Sequence, residues 1–265
     1  MEINLAVIGG TGFYHPDILQ DSKEIVVKTA YGEASLIIGV YRGRALAFLA
    51  RHGGGHALPP HRINYRANIA ALKEIGAKRV LSATAVGSLR EKLAPGTLVV
   101  TDQFIDFTKN RRQTFYDGSD EKGVIHTDFT DPYCPEIREN LKAKLQNMAV
   151  SFAKEGTYLC TEGPRYETPA EIKAFALLGA DLVGMTNVPE VTLAREAGLC
   201  YANLSLVTNY AAGISPHPLS HQEVVEMMEE KLSVIRELFM ETLISLPPER
   251  KCRCRQIEEY PLGGK

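Results

Sequence analysis

Positive charge is in short supply in this chain: 30 Lys and Arg stand against 32 Asp and Glu, leaving a formal charge of −2 over 265 residues. Nucleic-acid grooves and polybasic membrane patches both rest on clustered cations, so neither partner is expected and small-molecule chemistry is favoured. There is no apolar run of membrane-spanning length, and Met1-Glu2-Ile3-Asn4-Leu5 lacks the basic region and cleavage pattern of a secretion signal. The expectation is a cytoplasmic protein. Cysteine is sparse: five in this length, with Cys134, Cys160 and Cys200 far apart, make no secreted disulfide framework and read as buried free thiols. Cys252-Arg253-Cys254 differs, because it follows Pro247-Pro248 in a charged tail where core packing does not account for it. Two cysteines alone do not make a zinc site, which takes four ligands. A tail disulfide, within or between subunits, is the reading proposed for this pair if the host is a thermophile, where cytosolic disulfides do occur.

No internal repeat or low-complexity linker divides the chain, and 45% hydrophobic residues are ample for a packed core. Strand-like runs alternate with amphipathic helical runs, which predicts an α/β fold: a single-domain mixed twisted sheet flanked by helices. Residues 1–248 form that domain, with 249–265 an irregular tail. Residues 5–8 read as a short strand ending in Gly9-Gly10-Thr11-Gly12, and residues 35–41 and 44–50 as a hairpin turning at Arg42-Gly43. Helical periodicity spans residues 64–75, before a buried strand at 79–83. Further helices are expected at 135–148 and 189–197. Thr168-Pro169-Ala170-Glu171 is a capping box, and Ser220-His221-Gln222-Glu223 opens a long amphipathic helix to about residue 246. Strands are expected at 157–160, 182–184 and 200–207.

Polar residues cluster just past strand ends: Thr11, Arg51-His52, Thr84, Thr186 and Asn209. Ligands in α/β sheets bind there. Two further stretches suggest which ligand. In Gly163-Pro164-Arg165-Tyr166-Glu167-Thr168, the Glu167 carboxylate can accept from the N1–H and 2-amino group of guanine, with Tyr166 as an aromatic wall. In Thr208-Asn209, the amide can donate to O6 and accept from a protonated N7. Both together read as a pocket for a 6-oxopurine.

These residues occur within runs that match a known family. Gly9-Gly10-Thr11-Gly12, Ala50-Arg51-His52-Gly53, Gly87-Ser88-Leu89, Asp102-Gln103-Phe104-Ile105-Asp106, Phe115-Tyr116-Asp117-Gly118, Glu162-Gly163-Pro164-Arg165 and Val188-Pro189-Glu190-Val191 lie in register. Over residues 8–246 the chain resembles the trimeric nucleoside phosphorylases, which include methylthioadenosine and 6-oxopurine nucleoside phosphorylases. The resemblance implies that Thr11, Arg51, His52, Thr84, Ala85 and Thr186 hold phosphate, with an Arg fork and a backbone nest suited to the dianion. It implies that Met185 packs under the ribose and that the Asn209-Tyr210-Ala211 stretch lines the base together with Tyr166 and Glu167. His52 and Asn209 are the catalytic candidates, Asn209 stabilising the leaving purine at N7. No cofactor is implied, inorganic phosphate being a co-substrate. A homotrimer, or a dimer of trimers, is expected, in which His126 of one subunit closes the 5′ end of its neighbour's site.

The layout is closest to the methylthioadenosine branch, yet three positions depart from it together. Glu167 replaces a small hydroxyl residue, Asn209 replaces an Asp with Ala211 at the second Asp of its Asp-x-Asp, and His221 replaces an apolar residue near the 5′ end. All three agree with the 6-oxopurine branch, and adenine would mispair with both Glu167 and Asn209. Methylthioinosine or methylthioadenosine phosphorylase is the alternative within the family. A dinucleotide fingerprint is missing its third glycine, His15 standing at the last position counted from Gly10, and no acidic ribose ligand follows. A non-catalytic nucleoside binder would lack the phosphate residues, which are present.

Overall fold

The computed structural model describes residues 2–10, 18–53, 57–118, 123–215 and 217–259. In chain order the elements are β1 (Leu5–Gly9), β2 (Gln20–Thr29), β3 (Gly32–Tyr41), β4 (Arg44–Ala50), α1 (Tyr65–Glu74), β5 (Arg79–Ser88), β6 (Leu98–Val100), β7 (Gln103–Phe107) and α2 (Pro135–Gln146). There follow β8 (Phe152–Ala153), β9 (Thr157–Thr161), α3 (Pro169–Leu177), β10 (Leu182–Gly184), α4 (Asn187–Glu196), β11 (Cys200–Tyr210) and α5 (His221–Ser245). The expected mixed sheet flanked by helices is what forms, with eleven strands in one sheet. No helix among the described residues is long and apolar enough to cross a membrane.

Local chemistry explains most boundaries. The Asn64 side chain accepts from the Ala67 N–H and starts α1, whose apolar positions Ala67, Ile69, Ala71 and Leu72 face the core. Thr168 and Glu171 form the complete reciprocal capping box of α3, with Pro169 at its first turn. The β3–β4 hairpin turns through Arg42 (φ 45°) and Gly43 (φ 77°), the left-handed pair a two-residue turn needs. β2 lies outside the strands expected from sequence. Its first five residues are polar and exposed, and only Ile25, Val27 and Thr29 are half-buried, as befits a strand at the sheet edge beside β3.

The feature that positions the site is a fork in the sheet. β5 runs beside β11 along its whole length. On its other side it pairs in parallel with β1 only as far as Ile8↔Ser82, and then antiparallel with β10 from Gly87. Between them, residues 83–86 present a backbone edge that neither strand covers. On β11 the register slips between Val207 and Asn209, a bulge that re-aims the strand beside that fork.

The tail departs from expectation. Arg253–Glu259 forms 3-10 turns, and Cys254 is buried in the core cluster under α2 and α5. The Arg79 guanidinium donates to the carbonyls of Pro248 and Glu249, and Arg250 donates to Gly198. These bonds lay the chain after α5 back on the body, which a charged, proline-led sequence did not suggest. All five cysteines are free thiols within this chain, so Cys252 and Cys254 are not joined to each other.

Candidate active site

A cavity of about 480 Å³ opens at the fork. At one end lie Gly10, Arg51, His52, Thr84, Ala85 and Thr186; at the other lie Tyr166, Glu167, Thr208, Asn209 and Ala211; Gly184 and Met185 also line it. His221, Leu219 and Val224, from the start of α5, line the same cavity. Sequence positions spread over 200 residues thus converge on one volume. Thr11 lies outside the described residues. His126 is exposed and does not line the cavity within this one chain.

Arg51 is 1% exposed and its donors are largely committed. Nε and Nη2 form a fork on the Glu190 carboxylate at 2.6 and 2.9 Å; Nη2 also donates to the Ser82 hydroxyl at 2.6 Å, and Nη1 to the Ala83 carbonyl at 3.0 Å. Of five N–H groups, one on Nη1 is left for the cavity. The fork expected to clasp phosphate is therefore occupied by Glu190, and a phosphate oxygen can meet a single N–H instead. Burial opposes the guanidinium charge, and the adjacent Glu190 more than offsets it, so Arg51 is held above its ordinary pKa. Ser82 and Tyr201 hydroxyls complete the Glu190 carboxylate at 2.8 and 2.7 Å. Gly10 makes room for this arrangement, since a Cβ there would lie 2.7 Å from Arg51 Nη1.

The other residues expected to hold phosphate divide by what their side chains do. The Thr84 hydroxyl is held in a buried cluster with Asn203 and Ser205, at 3.1 and 3.0 Å, on the β11 side. Thr84 thus serves the strand, while the neighbouring backbone serves the cavity. Because the Ala83 carbonyl faces the fork and backbone direction alternates along a strand, the Ala85 N–H faces it too. His52 bonds the Leu58 carbonyl through Nδ1 at 2.8 Å, which puts the proton on Nδ1 and leaves Nε2 as its other polar atom. Thr186 precedes α4, whose regular turns begin only after the extended Val188, and its hydroxyl caps no helix N–H.

At the other end, burial pushes the Glu167 carboxyl above the ordinary range, opposed by a 2.7 Å hydrogen bond from the Thr161 hydroxyl. The Asn209 amide is fixed on both sides: Thr208 Oγ1 donates to Oδ1 and Nδ2 donates to the Tyr210 carbonyl, each at 2.9 Å. One N–H and one lone pair remain, enough for a donor–acceptor edge. Tyr210 itself points away, its hydroxyl on the Glu91 carbonyl, into a separate groove with Glu223 and Glu226. Expecting it beside the base overlooked strand alternation, which sends residues 209 and 211 one way and 210 the other.

Two residues that sequence reasoning left without a role support the site. Glu190 stands inside the apolar run Val188-Pro189-Glu190-Val191, and an acid at such a place demands a buried cation. Arg111, its side chain 2% exposed, donates to the carbonyls of Met185, Val188, Thr161 and Glu162 and to the Tyr65 hydroxyl, tying β9 to the loop that carries Met185 and Thr186. Gly163 (φ 66°) lets the chain pass Met185, whose Sδ would lie 2.7 Å from a Cβ. Arg165, one residue before Tyr166, pairs with Glu171 on α3 and holds that carboxyl down at about 2.

The chain is similar to phosphorylases named for 6-oxopurine nucleosides and for 5′-methylthio nucleosides. It is 57% identical over 263 residues, 99% of each chain, to a probable 6-oxopurine nucleoside phosphorylase of Dictyoglomus turgidum. It is 49% identical to the 6-oxopurine nucleoside phosphorylase of Pyrococcus furiosus, over 98% of this chain and 99% of that one. A solved adenosine/methylthioadenosine phosphorylase from Schistosoma mansoni, a double mutant in complex with adenine, superposes with a TM-score of 0.88 at 34% identity, covering 97% of this chain and 96% of that one. Residues 4–245 match the family model described as the phosphorylase superfamily, a span that takes in every element from β1 to α5 and the whole cavity lining. By sequence and by fold, the chain belongs to the phosphorylase superfamily.

Proposed function

We propose that this protein is a purine nucleoside phosphorylase acting on 6-oxopurine nucleosides, cleaving inosine and guanosine with inorganic phosphate to free base and ribose 1-phosphate. One observation carries the proposal: a single cavity holds anion-compatible groups at one end and a carboxylate with a fixed amide at the other. Phosphate binds against the Ala85 N–H, Thr186, His52 and the remaining Arg51 N–H. Met185 packs under the sugar. As the C1′–N9 bond breaks, negative charge builds on the purine, and the Asn209 amide stabilises it at N7 and O6, a role typically worth about 3 kcal/mol for one positioned donor. Phosphate captures the anomeric carbon, so neither cofactor nor covalent intermediate is required.

Glu167 and Asn209 select the base, because adenine presents a lone pair to the carboxylate. Mispairings of this sort cost on the order of 10⁴ to 10⁵ in discrimination. His221 meets the 5′-hydroxyl. The apolar neighbours Leu219 and Val224 on the same wall favour a second reading, a 5′-methylthio nucleoside as an additional substrate. The enzyme acts in the cytoplasm in purine salvage, as a homotrimer or dimer of trimers whose His126 completes the adjacent site.

The test is initial rates with inosine, guanosine, adenosine and methylthioadenosine, each with and without phosphate. Phosphate-dependent release of hypoxanthine and guanine with little adenine is expected. Preference for methylthioadenosine would overturn the base assignment, and release of base without phosphate would overturn phosphorolysis.

A further inference from the structure

The geometry points to a structural zinc site at the opposite end of the sheet, formed by Cys134, Cys200, Cys252 and Cys254. Their four Sγ atoms all lie within 4.8 Å of one another, and Cys200 and Cys252 are 3.3 Å apart. A tetrahedral tetrathiolate with Zn–S bonds of about 2.3 Å requires S···S separations of about 3.8 Å. Every pair in the cluster lies in that range of reach. Four sulfurs gathered around one centre are what a tetrahedral ion needs, whereas two disulfides need only neighbours in pairs.

The four ligands come from three places in the chain. Cys134 is the N-cap of α2, Cys200 opens β11, and the tail contributes Cys252 and Cys254 two residues apart, the spacing that lets one loop offer two thiolates. Cys134, Cys200 and Cys254 are buried and Cys252 half-buried, so no position is open to substrate and the site is of the closed, structural kind. Binding a divalent ion expels the four thiol protons to solvent and leaves a net charge of −2. The surroundings suit that charge. Cys134 stands at the N-cap position of α2, its side chain making no cap hydrogen bond, and the buried Arg79, which also pairs with Glu136 at 3.5 Å, stands opposite Cys200 in the β5–β11 register, its Nε lacking a hydrogen-bond partner.

The ion would pin the tail to α2 and β11, closing the end of the core that α5 leaves behind. Cys200 and Asn209 sit at opposite ends of β11, about 30 Å apart at the rise of a strand, so the metal stabilises without entering the chemistry. This inference stands whether or not the nucleoside assignment does.

The experiment uses the full chain purified without chelator, its free thiols alkylated at lysis in a parallel sample. About one zinc per chain by plasma mass spectrometry is expected, released stoichiometrically by a mercurial. Cobalt added to the reduced, metal-free protein should give the intense visible absorption of a tetrahedral tetrathiolate. Removing zinc should lower Tm by about 10 °C while leaving kcat at 25 °C unchanged. Cys252→Ser should lose the metal; if that variant fails to fold, the cobalt spectrum of the wild-type chain decides. A chain isolated with two disulfides, four hydrogens lighter than its sequence, would overturn the site, as would a reduced chain that takes up neither zinc nor cobalt.

Discussion

Replacing Glu190 by Gln should be one of the most damaging single changes to the fold, although Glu190 is not among the residues lining the cavity. The substitution keeps shape and removes one charge. Arg51 would then stay charged and buried, facing an amide N–H₂ group where a carboxylate oxygen now lies 2.6 Å from its Nε. Breaking a buried pair by removing one partner costs about 3–5 kcal/mol, a factor of roughly 10² to 10⁴ in the folded population at 1.4 kcal/mol per decade. Arg51→Met should cost a similar amount from the other side, because it strands the Glu190 carboxylate with only the Ser82 and Tyr201 hydroxyls. The double variant should cost about 2 kcal/mol less than the sum of the singles, the sign of direct coupling. Urea denaturation at fixed protein concentration, with and without phosphate, measures all three. Singles that each cost under about 1 kcal/mol, and that add, would refute the view that this pair is a structural strut. A rise in phosphate KM in an Arg51 variant cannot be read as a lost phosphate contact until this cost has been subtracted.

Thr186→Val should raise the KM for phosphate several-fold and leave that for nucleoside nearly unchanged, whereas Thr84→Val should mainly cost about 1–3 kcal/mol of stability, because its hydroxyl serves Asn203 and Ser205; equal phosphate KM effects would contradict the division. Asn209→Asp should raise the ratio of adenosine to inosine turnover about 10- to 100-fold, judging from the cost of one buried mispairing, and an unchanged ratio would remove Asn209 from base selection. Arg111→Ala should lower kcat/KM and stability together, since four carbonyls lose their donor; a lowered kcat/KM with unchanged urea midpoint would show a role in chemistry instead. The Glu167 carboxyl, pushed up by burial, must be ionised to accept from N1–H, so kcat/KM for inosine should begin to fall at a higher pH than an ordinary Glu would dictate. The acidic limb should vanish in Glu167→Gln. The linked stability has the opposite sign. A folded pKa above the unfolded one favours the protonated form, so the contribution of Glu167 is fully present below the ordinary Glu value and is lost as pH rises through the raised one.

Residue types, read at strand ends, were enough to assemble most of the cavity. Arg51, His52, Thr84, Thr186 and Asn209 all line it, because the rule that ligands bind past the carboxyl ends of strands needs only strand boundaries and polarity; Ala85 and His221 came from the family resemblance and Glu167 from the stretch around Tyr166. Side-chain direction was less accessible. Counting along β11 from Asn209 sends Tyr210 to the opposite face, but counting from the strand's start does not, because the register slips between Val207 and Asn209 and that bulge has no signature in residues 207–209. The Arg51 fork could not be foreseen as occupied, because its partner lies 139 residues later and meets it only when β4 and α4 close on β5. The tail misled for the same reason. Nothing local to Cys252-Arg253-Cys254 shows that Cys134 and Cys200 wait beneath it.

The occupied fork also changes how the cavity handles charge. A bare arginine beside phosphate would bind the dianion tightly in substrate and product complexes alike, which lowers KM without accelerating the chemical step. Arg51 paired with Glu190 contributes a rigid donor and almost no net charge. Its one remaining N–H is held in place by four bonds to Glu190, Ser82 and Ala83 before phosphate arrives. Preorganised dipoles of this kind need no rearrangement as the sugar becomes cationic. In the proposed reaction the phosphate then keeps its own negative charge available to the developing oxocarbenium ion, where stabilisation raises kcat. Glu190→Gln, in whatever fraction folds, should therefore bind phosphate more tightly and turn over more slowly, and a variant that binds phosphate more weakly would show that Glu190 acts through the geometry of Arg51 alone.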